Sequence, residues 1–132
     1  MNVLLDTHSF LWSAFEPGRL SPTARKTITD PENAVYVSAI SFWEISLKMA
    51  LGKLMLDKIT PEQLPDTAAQ MGHELLPLAP DEAASFHRLP CRGHKDPFDR
   101  MLVWQAIRRQ MTLISADSAL ADYTAEGLRL LW

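Results

Sequence analysis

Asn2-Val3-Leu4-Leu5-Asp6-Thr7-His8-Ser9-Phe10-Leu11 sets a short apolar run against a carboxylate and then against a helical pattern. Val3-Leu4-Leu5 reads as a buried strand, and Phe10, Leu11 and Phe15 beyond Asp6 fall on one helix face. The same grammar returns further on. Val35-Tyr36-Val37 ends at Ser38, and Phe42, Ile45 and Met49 follow at helical spacing. Strand followed by helix, twice, predicts an α/β fold with a mostly parallel sheet.

The remaining segments fit between and after these units. Ser21-Pro22 to Ile28 predicts a helix, and Thr60-Pro61 opens another running to about Met71, with proline at its favoured first position. Leu75-Leu76-Pro77-Leu78 reads as a third strand and Asp81 to His87 as a short helix. Asp96-Pro97 starts a strong helix through Gln110, Thr112-Leu113-Ile114 is a fourth strand, and Leu128 to Leu131 a fifth. The expected architecture is one domain over residues 1–132, helices flanking a five-stranded sheet.

Composition narrows the class. A chain of 132 residues, 47% hydrophobic and 22% charged, can bury a core and lies outside the disordered and fibrous classes. Cys91 is its single cysteine, which excludes an internal disulfide and suits a reducing compartment; the cytoplasm is the expectation. Three large apolar residues before Asp6 are too few for a signal peptide or a membrane span. A net charge of −3 disfavours nucleic-acid binding over the whole surface, so any such contact must be local. Candidates are Arg88, Arg92, His94, Lys95 and Arg100, and the pair Arg108 and Arg109, against an alternative of ordinary solvated charge.

In open parallel sheets, sites form outside the carboxyl ends of the strands. Asp6 follows the first strand and Asp117 the fourth, while Glu44 and Asp99 lie in the first turns of helices that can face the same edge. Each acid also has a structural explanation. Asp6 or Thr7 can cap the first helix, and Ser41-Phe42-Trp43-Glu44 matches a capping box with Lys48 as a surface partner of Glu44. Asp96 and Asp117 suit helix N-caps, and Asp99 complements a helix dipole. Four acids at four strand or helix beginnings that one topology gathers would repel one another unless a cation neutralised them. All-oxygen ligation suits Mg²⁺ or Mn²⁺, and phosphodiester hydrolysis is the natural use of such a site. No Gly-rich phosphate loop, no histidine pair at metal spacing and no base partner for Cys91 is present. A phosphoacceptor signalling domain would want an acid pair at the first strand and an aspartate after the third, where this chain has Thr7-His8 and Ala79-Pro80.

Leu4-Leu5-Asp6-Thr7-His8, Ser41-Phe42-Trp43-Glu44-Ile45, Leu51-Gly52-Lys53-Leu54, Asp96-Pro97-Phe98-Asp99-Arg100 and Leu113-Ile114-Ser115-Ala116-Asp117 together resemble the PIN-domain ribonucleases. In order, spacing and length the chain is similar to the VapC toxins of bacterial toxin-antitoxin modules, from Asn2 to the C-terminus. The resemblance implies a three-layer PIN-like fold, a Mg²⁺ or Mn²⁺ site and RNA cleavage. By position, Asp6, Glu44, Asp99 and Asp117 match the family's acidic quartet, with Asp6 and Asp99 as direct metal ligands and Glu44 and Asp117 in a second shell or at a second metal. Thr7 and Ser115 match supporting positions, and Asp96 stands near the third acid, which is assigned to Asp99. The resemblance also implies a homodimer and a cognate antitoxin. Phe10, Trp12, Phe15, Trp43 and Leu47 exceed what one helix face needs; Trp12, Phe15, Trp43 and Leu47 are the expected antitoxin groove, with core packing as the alternative. Lys95 and Arg100 are the nearest candidates for RNA contact. The alternative functions are a DNA-directed or structure-specific nuclease with the same acids, or a catalytically silent module acting through its partner.

Overall fold

A computed structural model describes residues 1–132. Five strands, β1 (Asn2–Leu5), β2 (Ala34–Ser38), β3 (Glu74–Leu76), β4 (Thr112–Ile114) and β5 (Arg129–Leu131), form one sheet in the order β3-β2-β1-β4-β5. Every pairing is parallel. Between the strands run α1 (Thr7–Phe15), α2 (Pro22–Thr29), α3 (Ala39–Ala50), α4 (Leu64–Gln70), α5 (Pro80–Ser85) and α6 (Pro97–Arg109). The α/β expectation and the five-stranded sheet flanked by helices are therefore met.

Alternation along β1 divides the core into two layers, as the pleat requires. Val3 and Leu5 join Phe10, Ala24, Val35, Val37, Leu64 and Ala68 on the face covered by α1, α2 and α4. Leu4 joins Leu102, Val103, Ala106, Leu113, Leu120 and Tyr123 on the other, under α6. Both faces are thus covered, which explains why the central strands are apolar throughout.

Prolines account for two departures from the expected boundaries. The Thr60–Met71 segment opens as a 3₁₀ turn at Pro61–Gln63 before α4 begins, because Pro65 has no N–H with which to close an α-helical bond to Pro61. Pro77 likewise ends β3 at Leu76, so Leu78 lies outside the strand. A third departure matters more. The expected capping box at Ser41 and Glu44 is not formed: Ser38 caps α3, its Oγ accepting from the Ile40 N–H at 3.0 Å, so the helix starts immediately after β2. Ser41 and Glu44 then fall inside the helix and face the interior, both buried.

Strand order places the site. The chain steps from β1 to β2 and β3 in one direction and returns to put β4 on the opposite side of β1. The β1/β4 junction is the point where the winding reverses, and the crevice beyond its carboxyl end is where ligands bind in such sheets. No helix is long and apolar enough to cross a membrane.

Candidate metal centre

Asp6 is the first residue past β1. Its N–H donates to the Ile114 carbonyl at 3.1 Å, and its Oδ1 accepts from the Ser9 N–H at 2.8 Å, capping α1. Ser9 Oγ donates to the same Ile114 carbonyl at 3.1 Å, tying the start of α1 to the end of β4. Asp6 is buried, and its cap leaves Oδ2 without an assigned partner.

Beyond β4, Ser115 Oγ accepts from the Asp117 N–H at 3.1 Å, and Asp117 Oδ1 caps a 3₁₀ segment, Ser118–Glu126, through the Ala119 N–H at 3.1 Å. Asp117 is exposed at the rim.

From α3, Glu44 enters the cleft almost fully buried, at 2% exposure. Thr7 Oγ1 donates to its Oε1 at 2.5 Å and lies 3.1 Å from Ser41 Oγ; Lys48 Nζ pairs with Oε2. The Glu44–Lys48 pair expected at the surface therefore has its carboxylate in the interior, because α3 begins three residues earlier than a cap at Ser41 would place it. Burial pulls the Lys48 ammonium down, but its bond to Glu44 and the charges of Glu44, Asp96 and Asp99 outweigh this and hold it above its ordinary value.

At the start of α6, Asp96 and Asp99 take different parts. Asp96 Oδ1 caps the helix, accepting from the N–H groups of Phe98 at 2.9 Å and Asp99 at 3.3 Å, with Pro97 at the first helical position. The half-buried Asp99 carboxylate has no compensating hydrogen bond. Burial first, and then the charges of Asp96, Glu44, Asp6 and Asp117, push it up to about 7. Carboxylates from α3, α6 and the ends of β1 and β4 thus all act on Asp99.

No three acidic, histidine or cysteine side chains stand close enough to enclose one ion. The donor chemistry still fits a hard divalent cation: Mg²⁺ commonly takes one or two carboxylates directly and keeps several waters, and Asp99 is a carboxylate engaged in no ion pair.

Other candidates disperse. Arg92 pairs with Glu126, His94 with Asp122, Arg108 with Asp81 and Arg109 with Glu82. The Arg100 guanidinium turns onto the Phe86 ring, 4.7 Å from its centroid, and donates to the Leu89 carbonyl at 2.9 Å. Lys95 is exposed and forms no ion pair. The four-residue groove does not assemble as one surface. Trp12 and Phe15 line a cavity of about 510 Å³ with Leu54, Met55 and Ile59. Trp43 and Leu47 instead lie exposed on α3, with Trp43 edge-on to Phe98 at 5.1 Å. Phe10 is core.

Lys48, expected at the surface, and Ser41, expected at a helix cap, instead contact Glu44 and Thr7 respectively. The available signal was Lys48 lying one helical turn beyond Glu44; what hid it was the misplaced start of α3.

Fold and site define a parallel α/β domain with an acid-lined cleft where its winding reverses. The chain belongs to the PIN domain family, whose model matches residues 3–126. It is similar to "Ribonuclease VapC22" of Mycobacterium tuberculosis, with 29% identity over 121 residues, covering 92% of this chain and 91% of that protein. Among solved structures it resembles VapBC2 from Rickettsia felis bound to a DNA fragment from their promoter, with a TM-score of 0.67 at 14% identity, covering 99% of this chain and 98% of that chain. It also resembles VapBC-5, a toxin-antitoxin system of Mycobacterium tuberculosis, with a TM-score of 0.61 at 17% identity, covering 98% and 97%. At these identities the structural likenesses speak for the fold.

Proposed function

We propose that this chain is a metal-dependent endoribonuclease acting as the toxin of a toxin-antitoxin pair, a single PIN domain working in the cytoplasm. The observation that carries the reading is Asp99, half-buried, engaged in no ion pair and pushed up to about 7 by burial and four neighbouring carboxylates. A binding module has no use for such crowding, whereas a divalent cation relieves it. Family membership and similarity to a protein named a ribonuclease support the choice of reaction.

Mg²⁺, with Mn²⁺ as substitute, is the proposed cofactor, held directly by Asp6 and Asp99. When bound, the ion supplies Lewis acidity toward the attacking water and the phosphoryl oxygens. Asp6 is rigid because α1 and β4 fix its position, and one of its oxygens is left for the cleft. Glu44, clamped by Thr7 and Lys48, extends the negative wall without competing as a direct ligand. Asp117 at the rim stands where it can orient water. Asp96 and Ser115 act through the segments they hold.

Two apolar surfaces suit the two expected partners. Trp43 and Leu47 on α3 and Leu51 at its C-cap recur every fourth residue and are 60%, 38% and 59% exposed, a stripe suited to a second copy of this chain. The cavity at Trp12 and Phe15 suits a segment of the antitoxin.

The test is to incubate the pure protein with RNA and DNA side by side, with Mg²⁺, Mn²⁺ or chelator. The expected result is metal-dependent RNA cleavage that Asp6→Asn abolishes. DNA cleavage alone would reassign the substrate. Absence of cleavage across several RNAs and both metals would transfer the function to partner binding.

A further inference from the structure

We propose that Lys48 is a substrate-binding residue of this cleft, its ammonium clamping Glu44 on one side and offering its remaining donors to an RNA phosphate on the other. The inference rests on the nuclease reading above.

An ordinary Glu-to-Lys pair one helical turn apart lies on a surface and leaves both partners hydrated. This one differs. The Glu44 side chain is 3% exposed and both its oxygens are taken, one by Thr7 and the other by Lys48, whereas the Lys48 side chain is 31% exposed. The carboxylate is therefore spent within the protein while the lysine side chain reaches solvent. An ammonium has three donors. Lys48 spends one on Glu44, and no other side-chain or backbone acceptor bonds to it.

Charge supplies the second argument. The negative fields of Asp96 and Asp99 reach Lys48 as well as that of Glu44, so this cation belongs electrostatically to the acid cluster. A polyanion approaching several carboxylates is repelled, and a cation at the mouth offsets part of that repulsion. Arg100 and Arg92 do not substitute, since Arg100 faces Leu89 and Phe86, and Arg92 faces Glu126.

A positive charge in this position has opposite effects on the two ligands. It repels a divalent cation and attracts a phosphate. A lysine that merely braced α3 would affect both in the same direction, or neither.

The experiment compares full-length wild type, Lys48→Met and Lys48→Arg by Mg²⁺ titration calorimetry and by steady-state cleavage of one RNA oligonucleotide. Lys48→Met is expected to bind Mg²⁺ about three- to tenfold more tightly while its KM for RNA rises about tenfold, and Lys48→Arg to stay near wild type in both. Should Lys48→Met misfold, the double variant Glu44→Gln with Lys48→Met removes the buried charge together with its partner. Its affinity for the same RNA, read by fluorescence anisotropy with Ca²⁺, should fall about tenfold below that of Glu44→Gln alone. Unchanged Mg²⁺ and RNA constants in Lys48→Met, or both weakened together, overturn the inference and leave the nuclease reading standing. Wild type that binds neither Mg²⁺ nor RNA overturns both.

Discussion

The Asp6 N–H donates to the Ile114 carbonyl at 3.1 Å, so the acid that ends β1 is bonded to the last residue of β4. Leu5 lies opposite Ile114 in the parallel register, and Asp117 follows Ile114 by three residues. Two carboxylates more than a hundred positions apart are thereby brought to one strand-end junction.

Asp99 and Asp96 separate function from stability. Asp99→Asn should abolish RNA cleavage without lowering Tm, because its carboxylate has no compensating hydrogen bond to lose. Asp96→Ala removes the α6 cap and should cost about 1 kcal/mol in urea unfolding. Cleavage that survives Asp99→Asn and disappears in Asp96→Ala would exchange the two assignments.

Crowding at Asp99 sets a pH dependence with a definite sign. In metal-free protein the folded state keeps a proton on Asp99 up to about 7, whereas the unfolded chain releases it near the usual carboxylate value of about 4. Folded protein then binds more protons than unfolded, so the Asp99 contribution to stability declines as pH rises from about 4 to about 7. Thermal scans should find Asp99→Asn more stable than wild type at pH 8, with the difference vanishing near pH 4. Identical curves would mean that the carboxylates are not crowded.

Mg²⁺ binding should release that proton. Calorimetry at pH 6.5 in two buffers of different ionisation enthalpy should register release of about three-quarters of a proton, falling toward zero by about pH 8.5. Asp99→Asn should release none.

Glu82 has the opposite sign. Burial raises its carboxyl, but bonds from Arg109, the Ala79 N–H and Gln105 outweigh burial and hold it below the usual carboxylate range. Arg109 Nε reaches Oε2 at 2.7 Å and Nη2 reaches Oε1 at 2.8 Å, fastening α5 to α6. The stabilisation is therefore complete above the unfolded carboxylate value and is lost as pH falls through the lower folded one. Glu82→Ala should cost about 2–3 kcal/mol at pH 7 in urea unfolding, progressively less as pH falls below the usual carboxylate range, and leave RNA cleavage intact.

The two apolar surfaces should respond independently. Phe15→Asp should weaken antitoxin binding at least tenfold and leave the sedimentation coefficient of the free protein unchanged. Leu47→Glu should shift the free protein toward monomer in sedimentation and spare antitoxin binding. A single variant that disrupts both would merge them into one interface.

Much of this architecture was legible in the chain. Val3-Leu4-Leu5, Val35-Tyr36-Val37 and Thr112-Leu113-Ile114 announce buried strands because parallel strands covered on both faces have no polar side to display. Asp96-Pro97 marks the start of α6 because an aspartate cap before a proline has few other uses. The start of α3 was misread because Ser38 and Ser41 are both competent caps, and choosing between them depends on where β2 stops pairing with β3 at Leu76.

The sequence by itself determined the strands, the helices and the identity of the acids, since hydrophobic period and cap chemistry are local and are written in neighbouring residues. Tertiary structure decided which acids are spent and which are free: Asp96 on its helix, Glu44 on Thr7 and Lys48, Asp99 in no ion pair. It also decided that Trp12 and Trp43 face different surfaces. The physical reason is that solvation and electrostatic fields depend on distance through space, and strand order, which is not local in the chain, sets those distances.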